Sequence, residues 1–238
     1  MKKSLIDIFQ IKKGDNIFIT GAGGKTSLME KLGSSLKKEG RVLISTSTKI
    51  RRPKNKDIDY IYDSFNSYKK IDEKKFLLAM GKLDPKTNKF SSIGEDNLTK
   101  ISKDFDYMLI EADGCRNLAL KMWKSYEPVI YNISSKVICV FSAKVIGRRI
   151  DKDFIYNYDD FIKLIDEKIV NKEVFLKLIE SKPGPFGDFS SPKFIFFNQV
   201  ESLEEKEKTL EVIKFLRKNT KNISYAYGSL LREEYYED

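Results

Sequence analysis

The chain has no histidine, only two cysteines and a single tryptophan in 238 residues. Without histidine it can run neither a Ser-His-Asp nor a Cys-His relay, and an H-E-x-x-H metal site is excluded too. Acid–base work, if there is any, falls to carboxylates, lysines or tyrosines. Cys115 and Cys139 stand at no metal-ligand spacing. Two cysteines are too few for a zinc knuckle, and they fit a reducing compartment better than a disulfide scaffold. No run reaches the roughly 18 consecutive apolar residues of a membrane span, and the opening MKKSLIDIFQIKKGD is too charged for a secretory signal. The expectation is a cytoplasmic protein with no membrane partner.

With 41% apolar and 33% charged residues, the chain has the composition of a globular protein, and its length suits one domain over 1–238. Its net charge of +9 is compatible with anionic partners. Lysine is spread along the whole chain, however, which reads equally as a solvated basic surface.

Short apolar runs alternate with helical spacing. NIFIT (16–20), RVLIST (41–46), DYMLIEAD (106–113), KVICVFSA (136–143) and KFIFFN (193–198) read as strands, with ISYAYG (223–228) as a sixth. Leu28, Met29, Leu32 and Leu36 mark a helix over 25–38 stopping at Gly40, and 204–218 is also helical. FLLAMGKL suggests an extra strand, and DPKTNKFSSIG a loop or hairpin leading to a short helix. Residues 115–134 and 181–192 read as long connections, which are often functional in α/β domains. Apolar strands separated by helices predict a mostly parallel sheet with helices on both faces, a three-layer α/β sandwich of the P-loop NTPase type.

The stretch ITGAGGKTS (19–27) lies between the first strand and the first helix. A phosphate cradle needs glycines that let successive N–H groups point at one anion, a helix N-terminus behind them, and a lysine. Gly21, Ala22, Gly23, Gly24, Lys25, Thr26 and Ser27 supply these in the short form G-x-x-G-K-T-[ST], although Ile19 replaces the first glycine of the longer pattern. Lys25 would meet the β- and γ-phosphates and Thr26 would place its hydroxyl on magnesium. At the end of a neighbouring strand MLIEADG brings Glu111 and Asp113, candidate magnesium ligands that would repel each other without a cation. Thr46, Thr48 and Lys49 follow the second strand at the carboxyl edge of the sheet, where open α/β folds bind ligands. Asn198 opens NQVE in the place where guanine-reading proteins carry N-K-x-D, but Gln199 and Glu201 weaken a guanine reading and leave ATP and GTP both open.

With ITGAGGKTSLM, LISTSTKI, LIEADGCRNLALK, EPVI (127–130) and FFNQVE in order, the chain resembles the YqeC-like family, which is similar to P-loop NTPases. The resemblance implies a role in selenium cofactor biosynthesis, as an accessory factor for a selenium-dependent molybdenum hydroxylase. It carries Arg116 and Lys121 over as candidates to touch phosphate or substrate, and it leaves a homodimer open. Three positions depart from the family pattern. Tyr126 stands where histidine is usual, Gln199 where lysine is usual, and Cys115 where another small residue is common.

The leading expectation is therefore a magnesium-dependent ATP- or GTP-binding protein that hydrolyses its nucleotide slowly, because no arginine finger is evident beyond Arg116, Arg148 or Arg149 as candidates. The alternatives are a kinase or ligase acting on a small anionic substrate, and a nucleotide-gated binding module. The basic segment 49–56 lies in one loop with no reading helix, which argues against sequence-specific nucleic acid recognition.

Overall fold

A computed structural model describes residues 2–190 and 192–237. A short helix α1 (Leu5–Ile8) leads into strand β1 (Asp15–Gly21), helix α2 (Lys25–Leu36) and strand β2 (Arg41–Thr46). Strands β3 (Lys49–Arg51), β4 (Tyr60–Tyr62), β5 (Phe76–Met80), β6 (Lys82–Asp84) and β7 (Lys89–Ser91) follow, then α3 (Glu95–Ile101) and β8 (Tyr107–Glu111). The second half holds β9 (Leu120–Lys121), β10 (Lys136–Ser142), β11 (Ile155–Tyr156), α4 (Tyr158–Leu164) and α5 (Lys172–Glu180). It ends with β12 (Lys193–Asn198), α6 (Leu203–Asn219), β13 (Ile223–Ser229) and β14 (Glu234–Glu237).

Nine strands form the main sheet in the order β14-β13-β12-β10-β1-β8-β2-β5-β4, and β1 is at its centre. All neighbours are parallel except β13 and β14. Side chains alternate across a strand, so β1 sends Ile17 and Ile19 to one face and Phe18 to the other. On the first face they meet Leu5 and Ile8 of α1 and Leu28, Met29, Leu32 and Leu36 of α2. Helices α3 to α6 cover the second face through residues such as Leu98, Phe161, Phe175 and Ile213. Both faces are dry, which is why these strands read as continuous apolar runs.

The chain leaves β1 toward β2 on one side of the sheet, and builds β10, β12 and β13 on the other. Such a reversal of winding opens a crevice at the carboxyl ends of the strands. Register brings the relevant positions to one level. Ile19 is opposite Glu111, Glu111 opposite Thr46, Gly21 opposite Val140, and Ser142 opposite Asn198.

Two expectations are corrected. Helix α2 ends at Leu36, and Gly40 does not cap it through a left-handed turn. Gly40 instead admits Asp106, since a Cβ there would lie 2.7 Å from Asp106 Oδ2. The connection over 115–134 is not free of structure either, because β9 pairs with β11 in a small parallel sheet. The 76–91 region forms β5 and then the β6–β7 hairpin, to which β3 adds a third antiparallel strand. The 181–192 connection is irregular where it is described, and residue 191 lies outside the described residues.

Candidate functional site

Gly21, Gly23 and Gly24 all have positive φ, at +94°, +93° and +132°. Glycine is required there for space as well as for conformation. A Cβ would lie 2.3 Å from the Val140 carbonyl oxygen at Gly21, 2.7 Å from Ser142 Cβ at Gly23 and 2.4 Å from Asn198 Nδ2 at Gly24. The loop is thus pressed against the ends of β10 and β12. Asn198 straps it down, donating from Nδ2 to the Gly23 carbonyl at 2.8 Å and accepting the Leu230 N–H at 3.1 Å. Gly24 is the N-cap of α2 and no side chain caps the helix. Its first N–H groups, on Lys25, Thr26 and Ser27, are left for an external acceptor, in the positive field of a helix N-terminus.

Behind this loop lies a cluster of buried charge. Lys25 Nζ donates to the Gly21 carbonyl at 2.7 Å and lies 3.1 Å from Asp113 Oδ1 and 3.6 Å from Glu111 Oε1. Burial opposes its charge, but the two carboxylates outweigh that and hold its pKa well above the usual lysine value. Thr26 Oγ1 donates to Glu111 Oε2 at 3.1 Å. Burial, with the Asp113 charge beside it, raises the Glu111 pKa against the pull of Lys25. Burial pushes Asp113 the same way, but Lys25 and Lys121 prevail and lower its pKa.

The two carboxylates therefore differ in role. Asp113 is fully buried, and it accepts the Gly21 N–H at 2.9 Å and the Trp123 indole N–H at 2.6 Å, with Lys121 3.2 Å from the same oxygen. These contacts on Oδ2 make Asp113 an anchor of the loop. Glu111 lines the cleft, and with the Thr26 hydroxyl it offers hard oxygen donors of the kind magnesium prefers. Among the described residues there is no cluster of three or more His, Cys, Asp or Glu that could hold a metal.

The cleft has a volume of about 1860 Å³, and Thr48, Lys49, Arg116 and Asn198 line it together with residues 23–27 of the loop, while Gly21 and Ala22 are buried and do not line it. Lys49 is ion-paired with Asp84 at 2.7 Å. Arg116 has φ +49° and its guanidinium lies 5.6 Å from the centre of the Tyr156 ring. Thr46 is buried away from the cleft and donates to the Glu111 carbonyl at 2.9 Å. Lys121, expected to touch phosphate or substrate, has no exposed surface and does not line the cleft. Arg148 lies over the Phe154 ring at 4.2 Å, outside the cleft lining. Glu201 is held by Lys144 at 2.7 Å and Ser229 at 3.2 Å, and Gln199 accepts from Ser142.

Sequence reasoning did not find Trp123, and it named Glu127 only as the first residue of EPVI. Glu127 accepts from Lys121 at 3.0 Å and lines the cleft.

Fold and site together define a mixed α/β protein with a glycine-rich strand–loop–helix turn at the centre of a parallel sheet. A family model described as YqeC protein matches residues 17–159, more than half of the chain, and the protein belongs to that family. It is 30% identical over 166 residues to the uncharacterized protein YqeC of Escherichia coli (strain K12), across 66% of this chain and 63% of that relative. The match therefore spans less than two thirds of the relative's length. No solved structure matches the chain. No helix among the described residues is long and apolar enough to cross a membrane.

Proposed function

We propose that this protein binds ATP or GTP with magnesium at the 21–27 loop and hydrolyses it slowly, as an accessory factor in maturing a selenium-dependent molybdenum hydroxylase or its cofactor. The client is what the family resemblance implies. The nucleotide reading rests on one observation, the convergence of an uncapped α2 N-terminus, Lys25, Thr26 and Glu111 on the floor of one cleft.

In this reading the loop N–H groups and the Lys25 ammonium hold the β- and γ-phosphates and stabilise the charge that spreads over the transferring group. The Thr26 hydroxyl and Glu111 would hold magnesium, which offsets phosphate charge when bound. A water oxygen attacks the γ-phosphorus as its bond to the β–γ bridging oxygen breaks, releasing nucleoside diphosphate and phosphate. Of the three arginines considered as fingers, Arg116 is the one that lines the cleft. It is stacked on Tyr156 and not aimed by a salt bridge, which is consistent with slow unaided turnover.

Phosphate release from ATP and GTP, measured with and without magnesium, tests the reading. Turnover that needs magnesium and is lost in Lys25→Ala supports it, and equal release by the variant overturns it. Arg51, Lys56 and Lys89 also line the cleft, and their positive charge favours a second reading, phosphoryl transfer to a small anionic acceptor. Nucleoside diphosphate formed in excess of free phosphate when a small-molecule extract is added would mark that transfer.

A further inference from the structure

Two lysines share the Asp113 carboxylate. Lys25 Nζ is 3.1 Å from Oδ1, and Lys121 Nζ is 3.2 Å from Oδ2. Their surroundings differ. Lys25 opens α2 and lines the cleft. Lys121 sits behind Asp113, donating to the Gly114 carbonyl at 2.8 Å and to Glu127 Oε2 at 3.0 Å, with the Trp123 and Tyr156 rings 5.5 and 5.6 Å away. Hydrolysis as described above needs no second lysine. Burying an ammonium group is costly unless it is paired, so its place beside Asp113 calls for a reason.

Lys25 supplies that reason. Its ammonium is drawn inward by Asp113, Glu111 and the Gly21 carbonyl, and it can serve a phosphate only by loosening those contacts. If Lys25 were the sole counter-ion of Asp113, its departure would strand a fully buried anion. That penalty would be subtracted from nucleotide affinity. Asp113 also fixes the start of the loop through the Gly21 N–H, so a stranded carboxylate would disturb the cradle as the ligand arrived.

We propose that Lys121, itself fixed by Glu127, is a positioning residue: the resident counter-ion of Asp113 that lets Lys25 exchange the carboxylate for a phosphate while Asp113 keeps hold of the loop. This rests on the nucleotide reading and deepens it. Trp123 is the only tryptophan in the chain and donates to the same Asp113 oxygen, so its fluorescence reports the exchange directly.

The test titrates magnesium-ATP and magnesium-GTP into four proteins, following heat and Trp123 emission. These are the wild type, Lys121→Met, Lys121→Arg, and the neutralised triple variant Asp113→Asn/Lys121→Met/Glu127→Gln. Lys121→Met should weaken binding roughly 100-fold by leaving carboxylates bare, and Lys121→Arg should recover much of the loss. The triple variant should bind within about tenfold of the wild type, since it buries no unpaired charge there. A role in packing alone predicts no rescue by neutralisation. If Lys121→Met does not fold, the folded triple variant decides the matter, and loss of binding by it overturns the proposal. Equal affinity and equal emission change in wild type and Lys121→Met overturn the counter-ion role alone. No binding by the wild type overturns the nucleotide reading, and this proposal with it.

Discussion

Asp15 and Asp106 lie at the amino-terminal edge of the sheet, Glu111 and Asp113 at the carboxyl-terminal edge, and both pairs are held by basic side chains. Asp106 accepts the Arg41 N–H at 2.9 Å and its guanidinium at 3.2 Å, with Lys13 3.1 Å away. Asp15 pairs with Lys136 at 2.7 Å, and the same ammonium donates to the Gln10 carbonyl at 2.7 Å. None of these groups lines the cleft. At the opposite edge, Lys25, Thr26 and Glu111 meet one another and also face the cleft, beside helix N–H groups that no side chain caps. Similar ion pairs thus close one edge of the sheet and leave the other ready to exchange partners. The difference lies in whether a charged group has somewhere else to go.

Substitutions at the two edges should therefore separate stability from binding. The largest effect is expected for Gly21→Ala, which forces a Cβ to 2.3 Å from a backbone oxygen at φ +94°. A loss of about 4 kcal/mol or failure to fold should appear in urea unfolding, and near-wild-type stability would mean that the loop is free to move away from β10.

At the closed edge, burial raises the Asp106 pKa, but Arg41 and Lys13 overcome this and draw it down to about 2 from a usual value of 3.8. A lowered carboxyl pKa stabilises the fold above the unfolded value, and that contribution fades as pH falls through the folded one. Asp106→Asn should cost on the order of 2 kcal/mol near neutral pH. It should also flatten the pH dependence of unfolding between pH 2 and 3.8. Nucleotide affinity should not change.

At the open edge, Thr26→Ala should weaken nucleotide binding about tenfold in magnesium and much less in EDTA, with little change in melting temperature. The smallest effect belongs to Lys49→Ala. Its pair with Asp84 is exposed at the rim, and affinity should change by less than about threefold, as read by the same titration.

The central strands and the glycine loop are legible in the sequence because their signals are local. Ile17 to Ile19 and Phe194 to Phe197 are apolar without interruption, and Gly21 to Ser27 carries strand end, turn and helix start in seven consecutive residues. Helix α5 is much less visible. Val174, Phe175 and Leu178 are its buried residues, and nine residues are too few for periodicity to stand out. Within the site, Lys25, Thr26 and Glu111 could be named from motif spacing. The roles of Asp113 and Lys121 could not, because whether a charged side chain faces a cleft or the interior depends on packing from remote segments. Trp123 and Glu127 reach Asp113 and Lys121 from a connection with no regular pattern. Asn198 is a similar case: its amide is engaged by Gly23 and Leu230, contacts that its place at the end of a strand does not reveal.

The most direct test is calorimetric titration of ATP and GTP, with and without magnesium, into wild type, Lys25→Ala and Asp106→Asn at neutral pH. The account predicts magnesium-dependent binding by the wild type and by folded Asp106→Asn, and at least about 100-fold loss in a folded Lys25→Ala. Absence of binding by folded wild type, or undiminished binding by Lys25→Ala, would contradict it.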